Sequence, residues 1–108
     1  MKPTKAGLLR HQITIESPTR TQDSLGEPLL TWSTFATTRA SVEPLRGMEL
    51  IQAAGVEANI THRVTIRFRD GLRPDMRIKH RGRVLNIVSV SDIEERERRI
   101  EIYCKEQV

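Results

Sequence analysis

Residues Thr61–Arg83 read THRVTIRFRDGLRPDMRIKHRGR. Val64, Ile66 and Phe68 alternate with Thr65, Arg67 and Arg69; after a turn, Met76 and Ile78 alternate with Arg77 and Lys79. A period of two places the apolar side chains on one side of a strand and the arginines on the other. The segment DGLRPD is a turn by composition, and Gly82 in HRGR supplies a second tight turn. The stretch therefore predicts two half-buried strands, over 61–69 and 76–80, whose outer faces are basic.

The same period extends in both directions. Downstream, VLNIVSV (84–90) carries apolar residues on both phases, which predicts a strand over 84–91 covered on both faces. The charged run SDIEERER (91–98) reads as a hairpin tip. Ile100, Ile102 and Cys104 then alternate with polar neighbours in a strand over 98–105. Upstream, QITIE opens a strand over 12–17, and a second strand covers 30–42. Trp32 and Phe35 are out of phase for one flat face, so that strand needs a bulge. Trp32, the sole tryptophan, is expected as a core anchor. Between these two strands, SPTRTQDSLGEP is rich in turn formers and predicts a long loop.

Period two fails in one place. Pro44 ends a strand, and in RGMELIQAAGVEAN (46–59) Met48 and Ile51 take helical spacing, with Gly55 as a terminator. This predicts one short helix inside 46–56, within a long inserted loop over 43–60. The expected fold class is all-β: a small antiparallel β-barrel or sandwich of about six strands, because a sheet of that size must close or cover its edges. The expected core is Ile13, Ile15, Val42, Val64, Ile66, Phe68, Ile78, Leu85, Val88, Ile100 and Ile102.

The chain has 108 residues, which fits a single domain over 1–108, with a mobile tail at 1–8. Apolar residues make up 37% and aromatics 4%, so the core is thin and partners are expected to add stability. The net charge is +4 and the sequence pI about 9.8. The excess is local: residues 61–83 hold eight bases and two acids, leaving ten bases and twelve acids elsewhere. One cysteine, Cys104, excludes an internal disulfide and suits a reducing compartment. No apolar run has the length of a membrane span.

Chemistry-bearing patterns are missing. No glycine run leads into a phosphate loop, and His11, His62 and His80 lack the spacing of metal ligands. His62 shares the phase of Val64 and is expected to be a partly buried polar residue. The acids at 92–97 are interleaved with arginines, unlike an acid pair tuned for catalysis. No enzymatic activity and no cofactor are expected. The basic face could be simply solvated, or it could meet a polyanion or an acidic partner. Single-strand binders stack bases on exposed aromatics, and here only Tyr103 lies on an outward phase.

Six blocks in order carry a family resemblance: GLLRHQITIES (7–17), DSLGEPLLTW (23–32), RASVEPLRGMEL (39–50), THRVTIRFRDGLRPDMRI (61–78), RGRVLNIVSVSD (81–92) and RRIEIYCKE (98–106). Together they resemble the phage head–tail joining family, the head–tail adaptors or head-closure (stopper) proteins. Arg39 and Phe68 stand where relatives often carry Trp and Tyr. The resemblance implies a structural protein of the virion, made in the host cytoplasm. Its copies would form a ring below the portal, close the DNA exit and dock the tail. The implied partners are further copies of itself, the portal or a portal-side adaptor, and a tail-completion or tail-tube protein. Packaged DNA would pass nearby without sequence-specific binding, and no membrane is involved. The alternative is a monomeric small β-barrel that binds nucleic acid through its basic face.

A ring needs one patch of a subunit to meet a different patch of the next. Arg67, Arg69 and Arg77 are the candidate basic contacts, facing acids such as Asp23, Glu27, Glu43, Glu49 and Glu57 of an adjacent subunit, or acidic groups on the portal-side partner, rather than DNA. Met48, Leu50 and Ile51 are the candidate apolar contacts.

Overall fold

A computed structural model describes residues 9–45, 60–93 and 99–107. Six strands follow in order: β1 (His11–Gln22), β2 (Pro28–Pro44), β3 (His62–Arg67), β4 (Arg77–His80), β5 (Arg83–Ile93) and β6 (Arg99–Glu106). All pair antiparallel and close into a barrel in the order β1-β2-β3-β6-β5-β4. Of the expected small antiparallel barrel or sandwich, the barrel is what forms. The helix expected inside 46–56 lies outside the described residues, as does the tail 1–8.

Alternation does the folding work. Ile13, Ile15, Val64, Ile66, Ile78, Leu85, Ile100, Ile102 and Cys104 share the interior, each at most 3% exposed. Their outward neighbours remain wet or half-buried. Val42 and Phe68, also expected inside, are only partly buried and pack against this core. Met76, Ala40 and Ile87 complete it. Met76 stands just before β4, and its carbonyl accepts a bond from the Ile87 amide at 3.2 Å.

The both-phase pattern of β5 has two causes. Leu85 and Ile87 enter the barrel, and then the register slips between Ile87 and Ser89. Val88, the extra residue, packs outside the barrel with Tyr103, Leu45 and Ile60. This second small cluster sits where the inserted segment leaves and rejoins the barrel. There Leu45 N donates to Thr61 O at 3.0 Å, and Thr61 N to Cys104 O at 2.8 Å. The insertion is thus fastened at both ends.

The bulge expected in β2 is present. Ile15 opposes Ala36 and Glu16 opposes Thr34, so Phe35 has no opposite residue. The tight turn at Arg81–Gly82 joins His80 to Arg83 with positive φ at both central residues (52° and 80°), the backbone of a two-residue type I′ hairpin.

The reading of 17–28 as a long loop is overturned. β1 continues to Gln22 and β2 begins at Pro28, with pairing unbroken from Ser17–Ser33 to Gln22–Pro28. Only Asp23–Glu27 is a turn. Asp23 Oδ1 accepts the Leu25 and Glu27 amides, each at 2.9 Å, while Gly26 takes φ 81°. Composition misled because Ser, Thr and Gln suit an exposed strand as readily as a loop. Trp32 is likewise corrected: it lies half-buried on an outer face rather than in the core.

β4 pairs with β1 only at Thr14–Glu16, and β3 pairs with β2 only at Ala40–Pro44. Beyond those limits β1 and β2 pair, among the described residues, only with each other, and so form a two-stranded arm. The barrel is also strongly staggered. Following partners from Pro44 through His62, Cys104 and Ile87, and then from Arg77 through Glu16, returns to β2 near Thr34. A displacement of roughly ten residues in one circuit inclines the strands steeply to the barrel axis. The arm continues two of those strands and leaves the barrel obliquely.

Candidate functional site

The surface with most to offer is the arm and the barrel mouth beside its root. The connection from Phe68 to Met76 runs across this mouth from β3 to β4. Gly71, at φ 92°, lies so close to Phe35 that a Cβ there would approach its ring at 3.1 Å. Arg73 Nη2 donates to Ser17 Oγ at 3.0 Å, and Arg73 pairs with Asp75 at 3.0 Å. The connection is therefore tied to the arm's root on two sides.

The three candidate arginines have different fates. Arg77 Nε pairs with Glu16 Oε1 at 2.7 Å, and both side chains are mostly buried (19% and 16% exposed). Its Cζ lies 4.1 Å from the centre of the Trp32 ring. The register puts Glu16, Pro18 and Trp32 on one face, so Arg77 clamps the arm's root to β4. Its charge is already committed inside the chain. Arg67 and Arg69 flank half-buried Phe68, are exposed, and form no ion pair among the described residues. Met48, Leu50 and Ile51 lie outside the described residues.

The arm's distal part carries the residues that the sequence reading missed. Leu25 is 86% exposed, Leu29 45% and Leu30 46%, the exposed large hydrophobics among the described residues. Leu30 shares a face with Pro28 and Trp32, while Leu29 points to the other face. Solvent gains nothing from three leucines on a projecting tip, and exposed apolar groups in one place mark contact surfaces. The available signal was the adjacent pair Leu29–Leu30 in a strand whose partner residues, Thr21 and Arg20, are polar. Asp23 and Glu27 bracket the tip with negative charge.

Elsewhere the basic face is neutralised in part. Arg63 pairs with Glu43 at 3.2 Å and lies 4.0 Å from Glu101; Arg83 pairs with Glu106 at 3.7 Å. Tyr103 is half-buried and donates to Glu101 at 3.2 Å. Burial, assisted by Glu101, raises its pKa.

The opposite mouth gathers histidines that are distant in sequence. His11 and His80 meet edge to face, ring centres 4.9 Å apart. His80 Nε2 is buried without a hydrogen-bond partner. His62, expected to be partly buried, is buried, with Nδ1 2.9 Å from Thr61 Oγ1. Burial lowers the pKa of both His62 and His80. Arg83 adds to this at both, and His11 and Arg81 at His80; at His62 Glu106 opposes it. Among the described residues no group of three or more His, Cys, Asp or Glu side chains could hold a metal ion. Cys104 is buried in the core, which pushes its thiol up to about 12 and leaves it inert.

Comparison with known proteins places this geometry in company. Residues 4–107 match the family model described as "Phage head completion protein". The head completion protein gp7 of Enterobacteria phage HK97 is 30% identical over 104 residues, covering 92% of this chain and 93% of that protein. The solution structure of protein SF1141 from Shigella flexneri 2a superposes with a TM-score of 0.79 at 36% identity, covering 97% of this chain and 98% of that one. A chain in the virion of a native gene transfer agent particle shares the fold, with a TM-score of 0.63 at 17% identity over 93% of this chain and 96% of that chain.

Proposed function

Because the chain belongs to the phage head completion protein family, we propose that it is a structural virion protein of a tailed phage or prophage that joins head to tail. Its copies form a ring below the portal, close the exit for packaged DNA and present a docking surface to the tail. The observation that carries this reading is the family match across residues 4–107, which includes the barrel, the insertion and the arm. A structural family also speaks for a non-enzymatic role. The portal or a portal-side adaptor lies on one side of the ring, and a tail-completion or tail-tube protein on the other. Arg67 and Arg69 supply charge for assembly contacts, and Met48, Leu50 and Ile51 supply apolar area. Arg77, held by Glu16, sets the arm's position. The working location is the virion, after assembly in the host cytoplasm.

The nucleic-acid reading loses ground on the same geometry. Arg63, Arg73, Arg77 and Arg83 are all in intrachain ion pairs. Tyr103 is hydrogen-bonded to Glu101 rather than offered as a stacking platform.

The test is particle assembly without the chain. Heads should fill, leak DNA and stay separate from tails by electron microscopy, and supplying the chain should restore joined particles. Reversal of Arg67 and Arg69 to Glu should give a folded protein that restores joining poorly. Joined, infectious particles at parental yield in the chain's absence would refute the proposal.

A further inference from the structure

We infer that the arm formed by Ser17–Thr31 reaches over the adjacent copy in the ring, setting Leu25 and Leu29 on that copy's barrel mouth at Phe68 between Arg67 and Arg69. The inference rests on the ring reading above and adds the contact that builds it.

Four observations lead to this occupant. The first is chemical match: the tip offers exposed leucines bracketed by Asp23 and Glu27, and the mouth offers a half-buried phenylalanine between two exposed arginines without an ion pair among the described residues. Both halves lie on the same chain, as a head-to-tail contact between copies requires. The second is height. The arm's root and the Phe68–Met76 connection are in contact through Gly71–Phe35 and Arg73–Ser17. Rotation about a ring axis preserves height, so one copy's arm root and the next copy's mouth stand at one level.

The third is reach. The molecule measures 58 × 27 × 27 Å. Ser17–Gln22 spans roughly 20 Å as extended strand, and the turn adds to it. An arm leaving obliquely therefore covers about the width of one barrel. The fourth is the edge itself. Among the described residues no third strand pairs with β2 from Leu29 to Thr38, and that edge has neither proline nor charge. Free edges are ordinarily blunted by those devices, so an unblunted one fits a chain whose arm is covered in its working state.

Thiol cross-linking tests the contact. Cys104 is buried and protonated, so the parent chain is an unreactive blank. Ser24→Cys and Asp70→Cys are exposed positions beside the contact and leave Leu25, Leu29, Arg67 and Arg69 in place. Particles carrying the double variant, treated with a short bis-maleimide, should give a ladder of dimers, trimers and higher multimers of this chain. Each single variant should give no ladder, and a mixture of the two single variants should stop at dimers. A dimer from Ser24→Cys alone would overturn the proposal, because it places arm against arm. A product joining Ser24→Cys to a different virion protein would also overturn it. Where the double variant gives no ladder, a lysine-reactive cross-linker on the same particles separates the two readings. A ladder there removes the arm contact and keeps the ring; none removes both.

Discussion

Arg77→Met removes the clamp at the arm's root while keeping an aliphatic stem over Trp32. The structure sets the magnitude. The Arg77–Glu16 bond is short at 2.7 Å and its partners are less than a fifth exposed, so solvent screens it weakly. A hydrogen bond to a charged group contributes about 1.5–3 kcal/mol. Stacking of the guanidinium on Trp32 adds about 0.5–1 kcal/mol. Loss of both should cost about 2–4 kcal/mol, with a fall in Tm of roughly 10–20 °C for a domain of this size. Glu16→Gln with Arg77→Met should recover part of the loss, since no carboxylate is then left half-buried and unpaired. Trp32 is the sole tryptophan, so its fluorescence reports the arm's root directly. Acrylamide quenching should rise in Arg77→Met before any global unfolding. Denaturant unfolding within about 0.5 kcal/mol of the parent, with unchanged quenching, would show that the clamp is a surface contact without consequence.

Other outcomes follow from particular positions. Ile66 is fully buried at the centre of the core, so Ile66→Ala should cost about 2–5 kcal/mol in chemical denaturation. Gly71 and Gly26 both have positive φ, but only Gly71 faces a ring at 3.1 Å. Gly26→Ala should cost about 1 kcal/mol from backbone strain alone, and Gly71→Ala about 1 kcal/mol or more beyond that from crowding Phe35; equal costs would deny the contact. His62 and His80 have pKa values below the ordinary 6.5 because of burial and neighbouring cations. The unfolded chain therefore binds protons more readily than the folded one. Their stability contribution is complete above about pH 6.5 and is lost as pH falls through 6.5 and the lowered folded values. A melting series from pH 8 to 5 should show that decline, and His80→Gln should flatten it.

Period-two alternation was enough to determine the barrel's staves. Wherever Ile, Val and Leu took one phase, as at 13–15, 64–66 and 100–102, the residues are buried in that phase. Burial of one face leaves a strand no other choice, because a slip by one residue inverts every side chain. The bulge at Phe35 was legible for the same reason, as a break of phase. The family resemblance was also legible in the sequence, carried by the order of short blocks. Tertiary structure alone decided the rest. Residues 17–28 are polar on both faces, and a polar segment has no core to fix its phase; only pairing to β2 makes it an arm. Trp32 looked like core by residue type, yet its place was set by Arg77, which β4 brings from sixty-one residues beyond Glu16. Arg67, Arg69 and Arg77 were indistinguishable in the alternating pattern. One is bound to a carboxylate and two have no ion pair among the described residues, because opposite charges find each other only after the barrel closes. Alternation is a local property, written along the chain. Pairing between distant side chains depends on closure, and the sequence alone does not carry its geometry.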